Sequence, residues 1–139
     1  MTNPDFDVII IGGGLAGSTA GILFREKGWK VLIFEKSSYP RHKIFGEFLS
    51  PAAESLFDRL GLASSLKGLQ GTSVSSVSFF WPSQKPIHSK FPFALNAYGI
   101  SRKVLDDFLL QEAGKRGCIV HQNEEVVDGL VVFGGSLNQ

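Results

Sequence analysis

A β-branched run into a glycine-rich turn, a helix with a 3.6-residue apolar period behind it, and a second apolar run ending in an acid predict an α/β fold. The run Phe6 to Ile11 is almost continuously apolar, as expected of a strand buried on both faces of a parallel sheet. It leads into Gly12-Gly13-Gly14-Leu15-Ala16-Gly17. Leu15, Ala16, Thr19, Ala20, Leu23 and Phe24 then recur at helical spacing, with charges at Arg25 to Lys27 and a stop at Gly28. Lys30 to Glu35 reads as a second buried strand. Residues 1–36 are therefore a βαβ unit of the Rossmann-like, doubly wound type.

Beyond it, Ser37 to Phe48 reads as a loop holding Pro40 and the basic cluster Arg41, His42 and Lys43. Ser50 is expected to cap a helix with Pro51 at its first position. That helix, Pro51 to Leu60, would bury Ala52, Leu56, Phe57 and Leu60 and end at Gly61. Gly68 to Gly71 reads as a turn. Val74 to Trp81 alternates imperfectly with serines, which predicts a half-exposed strand, and Lys85 to Phe93 is its expected hairpin partner. A helix from Arg102 to about Arg116, capped by Ser101, would bury Val104, Leu105, Phe108, Leu109 and Ala113. Cys118 to His121 and Glu125 to Phe133 read as short strands. A doubly wound domain normally continues to more strands than can be placed here, so the chain reads as a truncated fold, an N-terminal fragment of a longer protein.

Composition narrows the function. The 139 residues are 43% hydrophobic and 19% charged, which suits a packed core. A formal net charge of +1 gives no electrostatic reason to expect nucleic acid or an anionic membrane as partner. The single cysteine excludes an internal disulfide framework and a cysteine-based zinc cluster. Cys118 reads as a small core residue, His88 and His121 as ordinary strand residues without metal-ligand spacing, and Phe79-Phe80-Trp81 as packing. No signal peptide and no run long enough to span a membrane is visible, so the expected location is cytoplasmic, with membrane association not indicated.

The glycine pattern has its chemistry in context. Gly12 permits the tight turn off the strand, Gly14 lets a pyrophosphate approach the backbone, and Gly17 lets the helix pack closely. The amides of Leu15, Ala16 and Gly17 open the helix and offer hydrogen-bond donors and partial positive charge to phosphates. Glu35 lies 18 positions past Gly17, where an acid meets a ribose hydroxyl and repels a 2′-phosphate. The Lys-Ser/Thr pair of a nucleotide-triphosphate loop is missing. An NAD-dependent dehydrogenase domain and a non-catalytic nucleotide-binding chain remain alternatives at this level.

Three segments resemble a flavoprotein group, that of the para-hydroxybenzoate hydroxylase-type monooxygenases, geranylgeranyl reductases and flavin-dependent halogenases. They are Asp7 to Ala20 with the Glu35-Lys36 pair, Tyr39 to Pro51, and Tyr98 to Asp106 with Ala113 and Gly117. The resemblance covers the N-terminal third of such an enzyme and implies FAD as cofactor, NAD(P)H as reductant and a small-molecule substrate. It implies a Rossmann-like FAD/NAD(P)-binding fold over residues 1–139, with an inserted β-rich substrate region starting over residues 72–97. By the same resemblance, Gly12, Gly14, Leu15, Ala16 and Gly17 hold the pyrophosphate, Glu35 and Lys36 flank the adenosine ribose, and Arg41 lies along the cofactor. Gly46 and Glu47 approach the flavin, and Arg102 reaches the cofactor from its helix start. Phe45 stands where many relatives have Cys, so thiol chemistry is not carried over. No catalytic acid or base is implied within the chain, and the later Gly-Asp motif of the group lies beyond Gln139.

Overall fold

The computed structural model describes residues 5–44, 46–91 and 97–133. The calls on Met1 to Pro4, Phe45, Phe93 and the segment after Phe133 lie outside the described residues. The described chain forms two compact units, one from residues up to Lys43 together with those from Arg102 onward, the other from Ile44–Ser101.

The first unit is built on a parallel sheet. Strand β1 is Val8–Ile11, helix α1 is Leu15–Glu26 and strand β2 is Val31–Glu35. Val8 pairs with Val31 and Ile11 with Phe34 in parallel register. Strand β8, Ile119–Gln122, pairs with the other edge of β2, so the order is β1-β2-β8. That is the order of one half of a doubly wound sheet. Being central, β2 is buried along its whole length.

The edge strand β1 is not. Its burial alternates, with Ile9 59% and Ile11 68% exposed, which corrects the expectation of a strand buried on both faces. Its covered face lies under α1, which packs beside helix α4, Arg102–Lys115. Among the described residues nothing covers Ile9 and Ile11.

Small residues set the distance between α1 and the sheet. Its buried positions are Ser18, Gly21 and Ile22. A Cβ on Gly21 would come within 2.9 Å of Ile33 Cδ1 and 3.1 Å of Cys118 Sγ. Both distances are tighter than ordinary van der Waals contact, so the interface depends on a missing side chain. The helix ends where the sequence predicts, with Gly28 at φ +82.

The single strand expected over Glu125 to Phe133 is a hairpin instead. Strand β9, Glu124–Val127, pairs antiparallel with strand β10, Leu130–Phe133, Val127 facing Leu130. The two-residue turn is Asp128-Gly129, at φ 48 and 77. Positive φ at both central residues is what a type I′ hairpin requires, and Asp-Gly is a favoured pair for it.

The second unit contains strand β3 (Phe48–Leu49), helix α2 (Ala52–Arg59), helix α3 (Ala63–Gly68) and strands β4 (Thr72–Val74), β5 (Ser76–Phe79), β6 (Ile87–Lys90) and β7 (Ala97–Gly99). Strands β5 and β6 form the expected hairpin, Ser76 facing Lys90. The expected strand Val74 to Trp81 is broken at Ser75, and β4 pairs with β7 rather than with the hairpin. Helix α3 and strands β3 and β7 are absent from the sequence reading.

Helix α2 buries Phe57 and, just past its end, Leu60, as expected, but Ala52 and Leu56 are exposed. Ser50 supplies its carbonyl to Ala53 N–H at 2.9 Å, and no side-chain bond caps the helix. In α4, Leu105, Leu109 and Ala113 are buried as expected, whereas Val104 is exposed. Phe79, Phe80 and Trp81, read as packing on a half-exposed strand, are 48%, 74% and 47% exposed, with Phe79 and Trp81 stacked on each other at 5.9 Å.

Candidate functional site

The C-terminal ends of β1 and β2 and the N-terminus of α1 meet at the glycine turn. Gly12 takes φ +104 there, its N–H donates to the Phe34 carbonyl at 2.7 Å, and an added Cβ would meet nothing within 4 Å. The requirement at Gly12 is therefore one of backbone conformation. At Gly17 the requirement is space, since a Cβ would overlap the Gly12 carbonyl oxygen and press on Ile10. Ser18, fully buried, locks the start of the helix by donating from Oγ to the Gly13 carbonyl at 2.9 Å. The N-cap residue Gly14 is extended, no side chain caps the helix, and no acid stands in its first turn. This helix start is left polarised and open to an anion.

Glu35 ends β2 and is 5% exposed. Its Oε2 accepts from Gly13 N–H at 2.8 Å and its Oε1 from Ser37 N–H at 2.9 Å. Two backbone donors satisfy the buried carboxylate and fix the glycine turn against the strand end. A carboxylate has about four acceptor positions, so both oxygens retain capacity.

A cleft of about 280 Å³ opens beside it, lined by Ile11, Gly12, Glu35, Arg41 and, from β9, Glu124 to Val126. Lys36 stands at its rim, 3.5 Å from Glu125. Arg41 Nη2 is 4.0 Å from Glu35 Oε1, and its guanidinium lies 5.7 Å from the centre of the Tyr39 ring. Among the described residues, Arg41 Nε is the buried side-chain polar atom left without a hydrogen-bond partner. An orphaned cationic donor in a cleft edged by open glycine backbone fits an anionic, hydroxyl-bearing ligand.

Sequence reasoning missed the next layer. Asp106 is fully buried on α4. It accepts from Arg102 twice, at 2.6 and 3.0 Å, and from Lys43 Nζ at 2.5 Å. Lys43 also donates to the Tyr39 hydroxyl at 3.0 Å, and a Cβ on Gly14 would lie 3.1 Å from its Nζ. Burial alone would raise the Asp106 carboxyl, but the hydrogen bonds from Arg102 and Lys43 outweigh it and hold the group below the usual carboxylate range. For Lys43 burial pulls downward, and the bonds to Asp106 and Tyr39 overcome it, so the ammonium is raised. The hydrogen bond to Asp106 likewise raises Arg102. The Arg102–Asp106 spacing of four was readable as a helix pair; Lys43, 63 positions from Asp106, was not.

The first unit thus brings together Gly12 to Gly17, Glu35, Lys36, Arg41 and Arg102. Gly46 and Glu47 belong to the second unit, where the Glu47 carbonyl accepts from Ile100 N–H at 2.8 Å. Cys118 is buried and its thiol is pushed up by burial, with Arg25 opposing, so it is poorly nucleophilic, as expected. His121 does have an acid neighbour, Glu124 at 3.0 Å, a pairing created by the tight turn at Asn123, which has φ 62. Among the described residues no group of three or more His, Cys, Asp or Glu could hold a metal, and no helix is long and apolar enough to cross a membrane.

Residues 5–130 match the family model described as FAD binding domain. The chain belongs to this family. The FAD-binding domain is 31% identical over 133 residues to the menaquinone reductase of Mycolicibacterium smegmatis, covering 91% of this chain and 31% of that protein. It is 32% identical over 81 residues to squalene epoxidase erg1 of Schizosaccharomyces pombe, covering 58% and 18%. Among solved structures, the myxobacterial chondrochloren halogenase CndH, an FAD-dependent halogenase, superposes with TM-score 0.81 at 32% identity, over 88% of this chain and 29% of the other. The chain spans between 18% and 33% of the length of the first curated relatives. FAD is therefore the cofactor of the family, in place of the NAD alternative.

Proposed function

We propose that the chain supplies the FAD-binding part of an oxidoreductase that draws on NAD(P)H and acts on a small-molecule substrate in the cytoplasm. The relatives are named as halogenases, an epoxidase and a reductase, and the family model that this chain matches is an FAD binding domain. When bound, FAD supplies the electron transfer; the protein holds and orients it.

The observation that carries the residue assignment is the buried, partnerless Nε of Arg41 in a cleft bordered by Gly12 and Glu35. On this reading the amides of Gly14, Leu15, Ala16 and Gly17 receive the pyrophosphate at the uncapped start of α1. Glu35 accepts from the adenosine ribose while its backbone bonds keep it in place, with Lys36 at the rim. Arg41 and Arg102 supply positive charge, guanidinium being suited to bidentate phosphate contacts. Gly46 and Glu47 are assigned to the flavin by resemblance, and residues 72–97 to the start of the substrate region.

The test is a titration of the chain with FAD, followed by flavin fluorescence. Saturable binding that Gly14→Val abolishes, with the far-UV circular dichroism of the variant unchanged, is the expected result. A wild-type chain that leaves flavin fluorescence and anisotropy unmoved would remove the assignment.

A further inference from the structure

Two cations and one acid cluster beside the glycine turn, and the acid is the member with no contact to solvent. Asp106 is 0% exposed, whereas the side chains of Lys43 and Arg102 retain 23% and 18% exposure. The cations come from segments far apart in the chain, the loop after β2 and the start of α4. Asp106 ties them together with three hydrogen bonds of 2.5 to 3.0 Å. Lys43 Nζ reaches the space directly beside Gly14, the residue that begins α1. Held alone, two cations at this spacing would repel and splay into solvent. With the buried carboxylate between them they stay in place.

We propose that Asp106 is a positioning residue for the cofactor's diphosphate: it holds Lys43 and Arg102 at the start of α1 without touching the ligand itself. The proposal rests on the FAD-binding reading above and adds Lys43 to the groups facing the phosphates. The local geometry supports it in two respects. The bidentate Arg102–Asp106 pair fixes the guanidinium plane. The Lys43 ammonium is a rotatable point charge, and Asp106 and Tyr39 from two sides restrict where it can point. The lowered Asp106 carboxyl and raised Lys43 ammonium keep all three groups charged around neutrality.

The test compares two probes that differ only in the diphosphate, ADP and adenosine, by isothermal titration of the wild-type chain and of Asp106→Asn, Lys43→Gln and the double variant. For Asp106→Asn we expect ADP affinity to fall about tenfold to a hundredfold, the range of a lost charge-assisted contact, while adenosine affinity stays within twofold. The double variant is expected to lose less than the sum of the single losses, because both changes act on the same contact. An equal loss of ADP and adenosine affinity in Asp106→Asn would make its role purely structural and overturn the proposal, as would unchanged ADP affinity. If Asp106→Asn does not fold, Lys43→Gln decides: selective loss of ADP affinity supports the cluster, and unchanged ADP affinity overturns it. A wild-type chain that binds neither probe nor FAD would instead sink the FAD reading itself, which separates the two failures.

Discussion

Glycines that look alike in the fingerprint do different things, and substitution separates them. Gly14 has φ −73, and the nearest atom to an added Cβ is the Lys43 ammonium at 3.1 Å, tighter than an ordinary contact and tethered to Asp106 and Tyr39. Gly14→Ala should therefore cost about 1 kcal/mol, the lower end for overpacking, because the end of a side chain can shift by a few tenths of an ångström. Gly17→Ala meets backbone, the Gly12 carbonyl, which cannot swing away. A loss of about 3 kcal/mol is expected, at the upper end for overpacking; urea unfolding of the two variants would check the contrast. Asp106 gives a second residue-scale expectation. A carboxylate whose folded pKa is lowered adds stability above its unfolded value, about 3.9, and that stability is lost as pH falls through the lower folded value. Lys43 works in the opposite sense: its contribution is present below about 10.4 and lost as pH rises through its raised folded value. Asp106→Asn should cost about 2 to 3 kcal/mol at pH 7, less than a fully buried pair because both cations reach solvent. Chemical denaturation from pH 2 to 7 should show a shallower acid slope in the variant; an unchanged slope would count against the paired carboxylate. The glycine turn and Glu35 at the end of β2 were legible because they lie close together in the chain; Arg41 entered only through the resemblance. Asp106 was not legible, because its importance comes from a partner on another element.

The elements divide by what surrounds them. β2 was legible as a buried strand because it is central, with a partner on each edge and burial along its whole length. β1 has the same apolar composition, but among the described residues one of its faces is uncovered, so Ile9 and Ile11 are exposed. Composition reports what a strand tolerates, and neighbours decide what it buries. The β9–β10 hairpin shows a local signal overlooked: Val126-Val127-Asp128-Gly129-Leu130 reads as one apolar run unless Asp-Gly is taken as a turn. Helix α3 was missed because six residues, Ala63–Gly68, are too few for a periodic pattern to emerge from a glycine-flanked stretch. The hairpin also carries a prediction. Gly129 sits at φ +77, so Gly129→Val forces a β-branched residue into the left-handed region, at a cost of about 1 to 2 kcal/mol. Since Glu124, Glu125 and Val126 of β9 line the cleft, FAD affinity should fall along with the melting temperature. Gly129→Asn, which tolerates that conformation better, should restore most of both. Equal behaviour of the two variants in a thermal melt would mean that the turn does not organise the hairpin.

At the scale of the whole molecule, the proposed nucleotide site is drawn from discontinuous sequence but from one compact unit. Gly12 to Gly17, Glu35, Arg41 and Lys43 precede Ile44, while Arg102, Asp106 and β9 follow Ser101. The sequence showed Gly12 to Glu35 within a βαβ unit, put Arg41 and Lys43 in the loop that follows, and placed the start of α4 correctly. The resemblance marked only residues 72–97 as the start of an inserted region, whereas the second compact unit runs from Ile44 to Ser101, because a unit boundary is a property of contacts and leaves no composition break here. If the diphosphate and adenosine contacts are all made by the first unit, replacing residues 44–101 with a flexible Gly/Ser linker should keep ADP affinity within about threefold, a difference of less than 1 kcal/mol. The same excision removes Gly46 and Glu47, the residues assigned to the flavin. The advantage of FAD over ADP in the intact chain should therefore shrink in the excised one. Parallel titrations of both chains with both ligands separate the possibilities. Loss of ADP binding with retained far-UV dichroism would show that the second unit takes part in holding the nucleotide. An unchanged FAD-to-ADP ratio would show that Gly46 and Glu47 do not contribute to flavin affinity, leaving the first unit as the source of all the binding measured.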